Sequence, residues 1–427
     1  MTADDAIGRR TVRRINRRIM PFLFLLYVIA FLDRVNVGYA GLQMTRELHF
    51  SNAVFGFGSG IFFIGYVLLE IPGTVLVEIW SARKWIARIM ITWGIVAGFT
   101  GLIHTAHEFY WARFLLGVAE AGFFPGVIVY LTHWYRAADR AKAVAMFMSA
   151  IPLSQVVGAP ISAVLMKIQW LGWSGWRWLL ILEGVPAVIL GVVTLLYLTD
   201  RPVQAKWLPE AERNWIVNEL ESEKRQKAAG GAVSIWRALG HPNVLLLTLS
   251  YFCGAVVQYG FGLWLPKIIE KLSGFSALQV TLVAAIPYLV SWPAMMLMGW
   301  NSDRTGERRW HVAGALGLAG VGLLASQYAG ANVAFGVAMF SIALVGINGR
   351  LPAFWPMPAA LLGGTSAAAA IGAINCVGNV GGFVGPYIIG FLSTGSGRYG
   401  SGVAFLVGAA FVGAVATLLV RKAGGTK

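Results

Sequence analysis

Charged side chains sunk in apolar runs are where this chain could do chemistry, and Asp33, Arg34, Arg113, Glu120 and Arg350 all lie in such runs. A charge at the centre of a bilayer costs from about 2.5–3.5 kcal/mol on insertion scales to far more in simulations, so such groups usually face a cavity and a partner. Counted from Met20 along a helix, Asp33 lies about 20 Å into its run, too deep to reach the nearer surface. Asp33 and Arg34 are adjacent and point about 100° apart, so each needs a partner of its own. They read either as groups of a transport site or as a structural network that fixes helix packing. Arg113, Gly117 and Glu120 fall at i, i+4 and i+7, on one helix face, with the two charges about 10 Å apart along the axis. An anion bound at that arginine would weaken its pull on the acid and let the acid hold a proton. The pattern reads as linked binding of an anion and H⁺, with Glu120 as the coupling acid; the alternative is a structural partner for Arg113.

Arg350 is the single charged residue between Trp310 and Gly397 and precedes Pro352, Pro356 and Pro358. Repeated prolines point to irregular, cavity-lining backbone. Arg350 could supply a second cation for a dicarboxylate, or snorkel to the surface from about 25 Å along its run from Asn332. Tyr66 shares a helix face with Glu70 and can hydrogen-bond an anion, whereas Glu70, just before Pro72, reads as a structural acid near the cytoplasmic end of its run. Tyr259, Trp264 and Trp355 could wall a cavity, although most of the 17 Trp should be interfacial or packing residues. His104, His107 and Glu108 lack the spacing of a metal site, so no metal is expected.

These residues need a scaffold, and the composition says which. The chain has 427 residues, 57% hydrophobic and 12% charged, about half the charged fraction of a soluble domain. Apolar runs fall at about 20–41, 53–77, 85–104, 109–134, 143–166, 177–198, 243–266, 278–300, 310–328, 332–351, 365–392 and 400–420, each near the length a bilayer span requires. An all-α membrane protein of twelve transmembrane helices follows. Of the 34 Lys and Arg, 25 fall on the side of the N-terminus and six on the other, with Arg34, Arg113 and Arg350 inside spans, so both termini are expected to be cytoplasmic. The net charge of +15 is therefore a topology signal, and nucleic acid is not an expected partner. Residues 199–240 turn polar and divide the chain into a basic arm at 1–19, a six-helix bundle at 20–198, the linker, a second six-helix bundle at 241–421 and a tail at 422–427. Cys253 and Cys376 both sit in apolar runs and imply neither a disulfide nor a metal. The Gly-rich eleventh run lacks a Gly-Lys-Ser/Thr, which removes support for ATP-driven transport, and no Ser/His pair suggests an enzyme.

The loop after the eighth run, Gly299-Trp-Asn-Ser-Asp303-Arg304-Thr-Gly306-Glu-Arg308-Arg309, resembles the cytoplasmic signature of the major facilitator superfamily, and the loop carrying Arg83 and Lys84 occupies the equivalent place six helices earlier. Asp303 with Arg304, Arg308 and Arg309, and Arg83 in the first copy, could form a gating network made and broken as the halves rock; the alternative is a solvated positive-inside loop.

Within that superfamily, the segments Phe31-Leu-Asp33-Arg34-Val-Asn36-Val-Gly38, Arg113 through Pro125, Gly175-Trp-Arg177-Trp through Glu183-Gly184, and Gly378-Asn379 through Pro386 resemble the anion:cation symporter family. The second half is closest to its tartrate, phthalate and 4-hydroxyphenylacetate branch. The resemblance implies protonation at Asp33 and Glu120, and substrate contacts at Arg34, Tyr66, Arg113 and Asn375, with Gln155 and Gln258 as weaker matches. The resulting expectation is proton-coupled uptake of a small organic anion: a sugar acid, hydroxy-dicarboxylate or aromatic carboxylate. Alternatives are an uncoupled uniporter, exchanger or exporter, and a carboxylate sensor that does not transport. A monomer in the inner membrane is expected, with protons as the coupling ion and no other cofactor.

Overall fold

The computed structural model describes residues 3–228, 240–361, 364–395 and 399–421; residues 229–239 of the expected linker and the tail 422–427 lie outside the described residues. Among the described residues the regular structure is helical throughout. The first half comprises α1 (Ala3–Glu47), α2 (Asn52–Ile79), α3 (Ala82–Thr100), α4 (Ala106–Glu120), α5 (Phe123–Thr132), α6 (Ala137–Met148), α7 (Ala150–Leu165) and α8 (Gly175–Tyr197). The linker contributes α9 (Glu210–Ala228). The second half comprises α10 (Pro242–Ser273), α11 (Ala277–Thr305), α12 (Arg309–Ser326), α13 (Val333–Phe354), α14 (Pro356–Leu361), α15 (Gly364–Asn379), α16 (Gly381–Ser393) and α17 (Gly400–Leu419).

Ten helical stretches are long and apolar enough to cross a membrane, among the described residues. The expected third and ninth spans, α3 and α12, are outside that set; α3 begins on Arg83, Lys84 and Arg88, and α12 on Arg309 and His311. The basic arm is not a separate segment, because α1 runs unbroken from Ala3 through Pro21. Thr11, Ile15 and Ile19, at i, i+4 and i+8, are buried along one face of the arm, and Arg14 pairs with Glu212 of α9 at 3.1 Å. Polar caps set the helix starts: the Ser276 and Gln279 side chains form a reciprocal capping box at the head of α11.

The halves pack against each other farther along α2 as well as at the end of the molecule away from the N-terminus. There the first turns of α2 lie on α16, where Gly56 and Gly60 face Pro386 and Phe383 so closely that a Cβ at either would strike a backbone carbonyl oxygen. The last turns of α1 lie on α10, with Lys267 Nζ donating to Thr45 Oγ1 at 2.9 Å and Arg46 paired with Glu270.

Candidate functional site

The fourth expected span is broken in a way that exposes its acid to a partner. Helix α4 ends at Glu120, Ala121 turns extended (ψ 136°), and Gly122 adopts φ +83°, which only glycine takes without strain. The last side chain before the break, Glu120, is fully buried and forms an ion pair with Arg34 of α1 through its Oε1. Its Oε2 has no hydrogen-bond partner. The expected neighbour of Glu120 was on its own helix; the structure gives the acid to Arg34 instead. Arg113 is buried about two turns away, with its guanidinium carbon 5.0 Å from the ring centre of Phe62. Residues at i and i+7 share a face but lie too far apart axially to bond, while α1 crosses beside the break. Phe31, Phe62 and Tyr66 surround the Arg34 guanidinium with ring centres 5.2, 5.6 and 5.3 Å away.

Asp33 turns away from Arg34, as adjacent helix positions must. It is buried against the interior of the first half, where it accepts from Trp93 Nε1 at 2.8 Å and Asn36 Nδ2 at 3.1 Å. Arg34 alone of the α1 pair reaches the space between the halves. That space is a small cavity walled on one side by Arg34 and Gln155 and on the other by Gln258, Tyr259, Tyr288 and Asn348. Gln155 is buried and its Oε1 is unpartnered, as is Oδ1 of Asn348. Tyr259 crosses to the first half, its ring centre 4.4 Å from that of Phe63.

Arg350 does not snorkel. It is 1% exposed and donates from Nη2 to Gln258 Oε1 at 2.9 Å, while its Nε and Nη1 have no partner. Gly254 makes the room: a Cβ there would sit 2.5 Å from the guanidinium carbon. By taking the Gln258 carbonyl oxygen, Arg350 leaves the Gln258 amide N–H groups to donate into the cavity.

Glu70 is not at the end of its helix, since α2 continues nine residues to Ile79, about 13 Å. Its buried carboxylate reaches the other half, accepting from Asn375 and, at 3.4 Å, from Asn379. Asn375 also accepts from Tyr251 Oη at 3.3 Å. Sequence reasoning passed over Tyr251, Asn348 and this use of Glu70; the i, i+4 pair of asparagines in a Gly-rich span was the available signal. Trp264 is set apart from the cavity. Fully buried, it donates from its indole N–H to Pro386 O at 3.0 Å and packs edge-on against Phe55, where the halves meet. Trp355 packs on Tyr251, with ring centres 4.9 Å apart.

In the two charged loops, the ion pairs described are local. Arg308 pairs with Asp303 at 2.6 Å and donates to Ser302, and Arg304 lies over Trp300. Arg83 approaches Asp200 at 3.8 Å. Among the described residues, the ion pair that joins the two bundles is Arg46–Glu270, at the opposite end.

The profile of the Major Facilitator Superfamily matches residues 23–386. A protein of Agrobacterium vitis named "Putative tartrate transporter" is 48% identical over 97% of this chain and 95% of its own length. The "Quinolone resistance transporter" of Acinetobacter baumannii is 35% identical over 96% of this chain and 94% of its own. The xylose transporter XylE from E. coli, in a partially occluded inward open conformation, superimposes with a TM-score of 0.74 at 16% identity, covering 93% of this chain and 97% of that one.

Proposed function

Because the chain belongs to the Major Facilitator Superfamily and is a multi-pass membrane transporter of organic acids rather than an enzyme, we propose that it takes up a hydroxy-dicarboxylate such as tartrate together with protons. The observation that carries this reading is the Arg34–Glu120 ion pair at the wall of a cavity between the halves. One guanidinium cannot fully serve both the protein carboxylate and an incoming one. Protonation of Glu120 releases Arg34 to bind the anion, and an anion on Arg34 leaves Glu120 to keep its proton. The two ligands therefore favour each other, and by linkage they do so reciprocally.

In this scheme Asp33 and Glu120 take protons from the outer side, and the substrate meets Arg34, with Arg113, Tyr66 and Gln155 around it. Gln258 and Arg350 offer donors to a second carboxylate, with Tyr259, Asn375 and Trp355 lining the second half. Neutral acids lower the desolvation cost of closing the cavity, so the loaded protein rocks inward and releases its cargo. Twelve spans with both termini cytoplasmic, bundles at 20–198 and 241–421, a monomeric state and an inner-membrane location complete the reading. The tartrate-transporter relative supports the substrate class.

In that orientation the closed end of the molecule is the outer one. Charged loops 83–84 and 303–309, with Arg83 near Asp200 and Arg308 paired with Asp303, fit a gating network on the cytoplasmic side. Removing the outer pair with Arg46→Ala and Glu270→Ala is expected to favour outward opening. Arg46 is largely exposed, so the pair is worth at most about 1 kcal/mol, a shift of about fivefold in the population. Spin labels at His49 and Ser276, on the two sides of that closure, should show the longer distance gaining at the expense of the shorter. An unchanged distribution would remove the pair from gating.

The direct test of coupling is proton flux. Adding tartrate to weakly buffered vesicles is expected to make the medium more alkaline, because each anion carries protons inward. Uptake without alkalinisation would establish an uncoupled carrier. The quinolone-resistance relative favours export as the second reading; it requires substrate efflux against an inward proton gradient.

A further inference from the structure

Among the buried acids that the scheme above leaves unused is Glu183. Glu183 lies on α8, two turns inward from Arg177, whose pairing with Glu47 at 3.1 Å marks the closed end of the first half. Its Oε2 accepts from Asn36 Nδ2 at 2.9 Å and its Oε1 from Ser162 Oγ at 3.3 Å. The same Asn36 nitrogen donates to Asp33 at 3.1 Å, so one amide joins two carboxylates from different helices. Asp33, Asn36, Ser162 and Glu183 are all buried, and neither acid has an ion-pair partner among the described residues.

Two carboxylates this close in a buried site cannot both be ionised cheaply, and a proton between them removes one charge from the interior. The connector suits such sharing. Asn36 offers N–H groups to ionised carboxylates, while its Oδ1 is buried without a hydrogen-bond partner. An unclaimed acceptor beside two acids is where a carboxylic O–H can donate. We propose that Asp33 and Glu183 hold one proton between them across Asn36, so that Glu183 sets how readily Asp33 binds and releases the coupling proton. When the proton moves, the O–H bond at one carboxyl breaks as that at the other forms, and the pair keeps a net charge of −1. Glu183 is thus a positioning residue for the proton, nearer the closed end than Asp33.

The groups around the pair fit this assignment. From α1, Asn36 donates to both acids, while Arg34 is paired with Glu120. From α3, Trp93 donates to Asp33, and the helix presents Gly94 and Ala97 to the glycine that follows Glu183. Ser162 comes from α7. From α4, Arg113 and Glu120 are buried charged groups of the same half.

The proposal rests on the proton-coupled reading and is tested separately from it. Full-length protein in vesicles is assayed for the pH midpoint of tartrate uptake, with folding checked by thermal melting. In Glu183→Gln the like charge beside Asp33 is gone, Asp33 releases its proton more easily, and the midpoint is expected to fall by about one pH unit. In Asn36→Ala the acids lose both the N–H donated to their ionised forms and the Oδ1 acceptor of the O–H; the bonds to charged carboxylates are the stronger, so the midpoint is expected to rise. Shifts in opposite directions support the pair. An unchanged midpoint, or two shifts of the same sign, overturns it, since a merely structural contact would move rate or stability and leave the midpoint alone. If Glu183→Gln does not fold, Asn36→Ala decides: a raised midpoint supports the pair and an unchanged one overturns it. A wild-type protein whose uptake is independent of pH would refute proton coupling itself.

Discussion

Vesicles carrying Glu120→Gln are expected to exchange labelled tartrate for tartrate but to accumulate none under an inward pH gradient, falling to the level of empty vesicles. Glutamine keeps the shape of the acid and an oxygen for Arg34, yet it cannot carry a proton across. It also fixes the uncharged state, in which Arg34 is free for the anion. In the wild type, rising pH ionises Glu120, which then competes for Arg34, so tartrate affinity should fall as pH rises; in the variant that dependence should flatten. Removing one partner of a buried pair leaves the other charge uncompensated, at about 3–5 kcal/mol. The variant should therefore melt at lower temperature than the wild type, and tartrate should restore part of the difference by acting as the counterion of Arg34. Uphill uptake that persists in Glu120→Gln would remove this acid from coupling.

The competition for Arg34 is also where sequence reading reached its limit. The placement of Arg113 and Glu120 on one face follows from 3.6-residue periodicity, and the divergence of Asp33 from Arg34 follows from the 100° between neighbours. Both are local and readable from spacing. Which side chain on another helix answers each charge is not local. Glu120 meets Arg34 because the chain breaks at Gly122 beside α1, and spacing within one helix cannot foresee a crossing. Glu70 reads as a terminal structural acid from its nearness to Pro72, but a proline inside a membrane helix need not end it, and α2 continues. Its partners Asn375 and Asn379 lie in the other half of the chain. Trp264 is the converse case. Among many tryptophans, composition cannot separate a cavity wall from a wedge between bundles, and its bond to Pro386 O identifies the wedge. The apolar runs other than the third and ninth were legible because a bilayer demands length and hydrophobicity from each one separately.

The same asymmetry between the halves leads to the second large effect. The first half sets Arg34 and Arg113 among Asp33, Glu120 and Glu183, whereas the described part of the second half buries Arg350 beside Gln258 and Tyr251 with no acid in contact. A buried guanidinium with Nε and Nη1 unpartnered is an expensive arrangement unless a ligand completes it. A dicarboxylate lodged between the halves would give one carboxylate to Arg34 and the other to the Gln258 amide backed by Arg350. A monocarboxylate could occupy the first position alone. Arg350→Met fills the same space without the charge and frees Gln258 to turn. A hydrogen bond to a charged group is worth about 1.5–3 kcal/mol, so tartrate affinity should drop roughly 10–100-fold. A short hydroxy-monocarboxylate such as glycolate should bind as it does to the wild type, and Arg350→Lys should recover only part of the loss, because a point charge does not hold Gln258 as the guanidinium does. Equal losses for both ligands would mean that Arg350 supports the fold of the second half rather than reading the far end of the substrate.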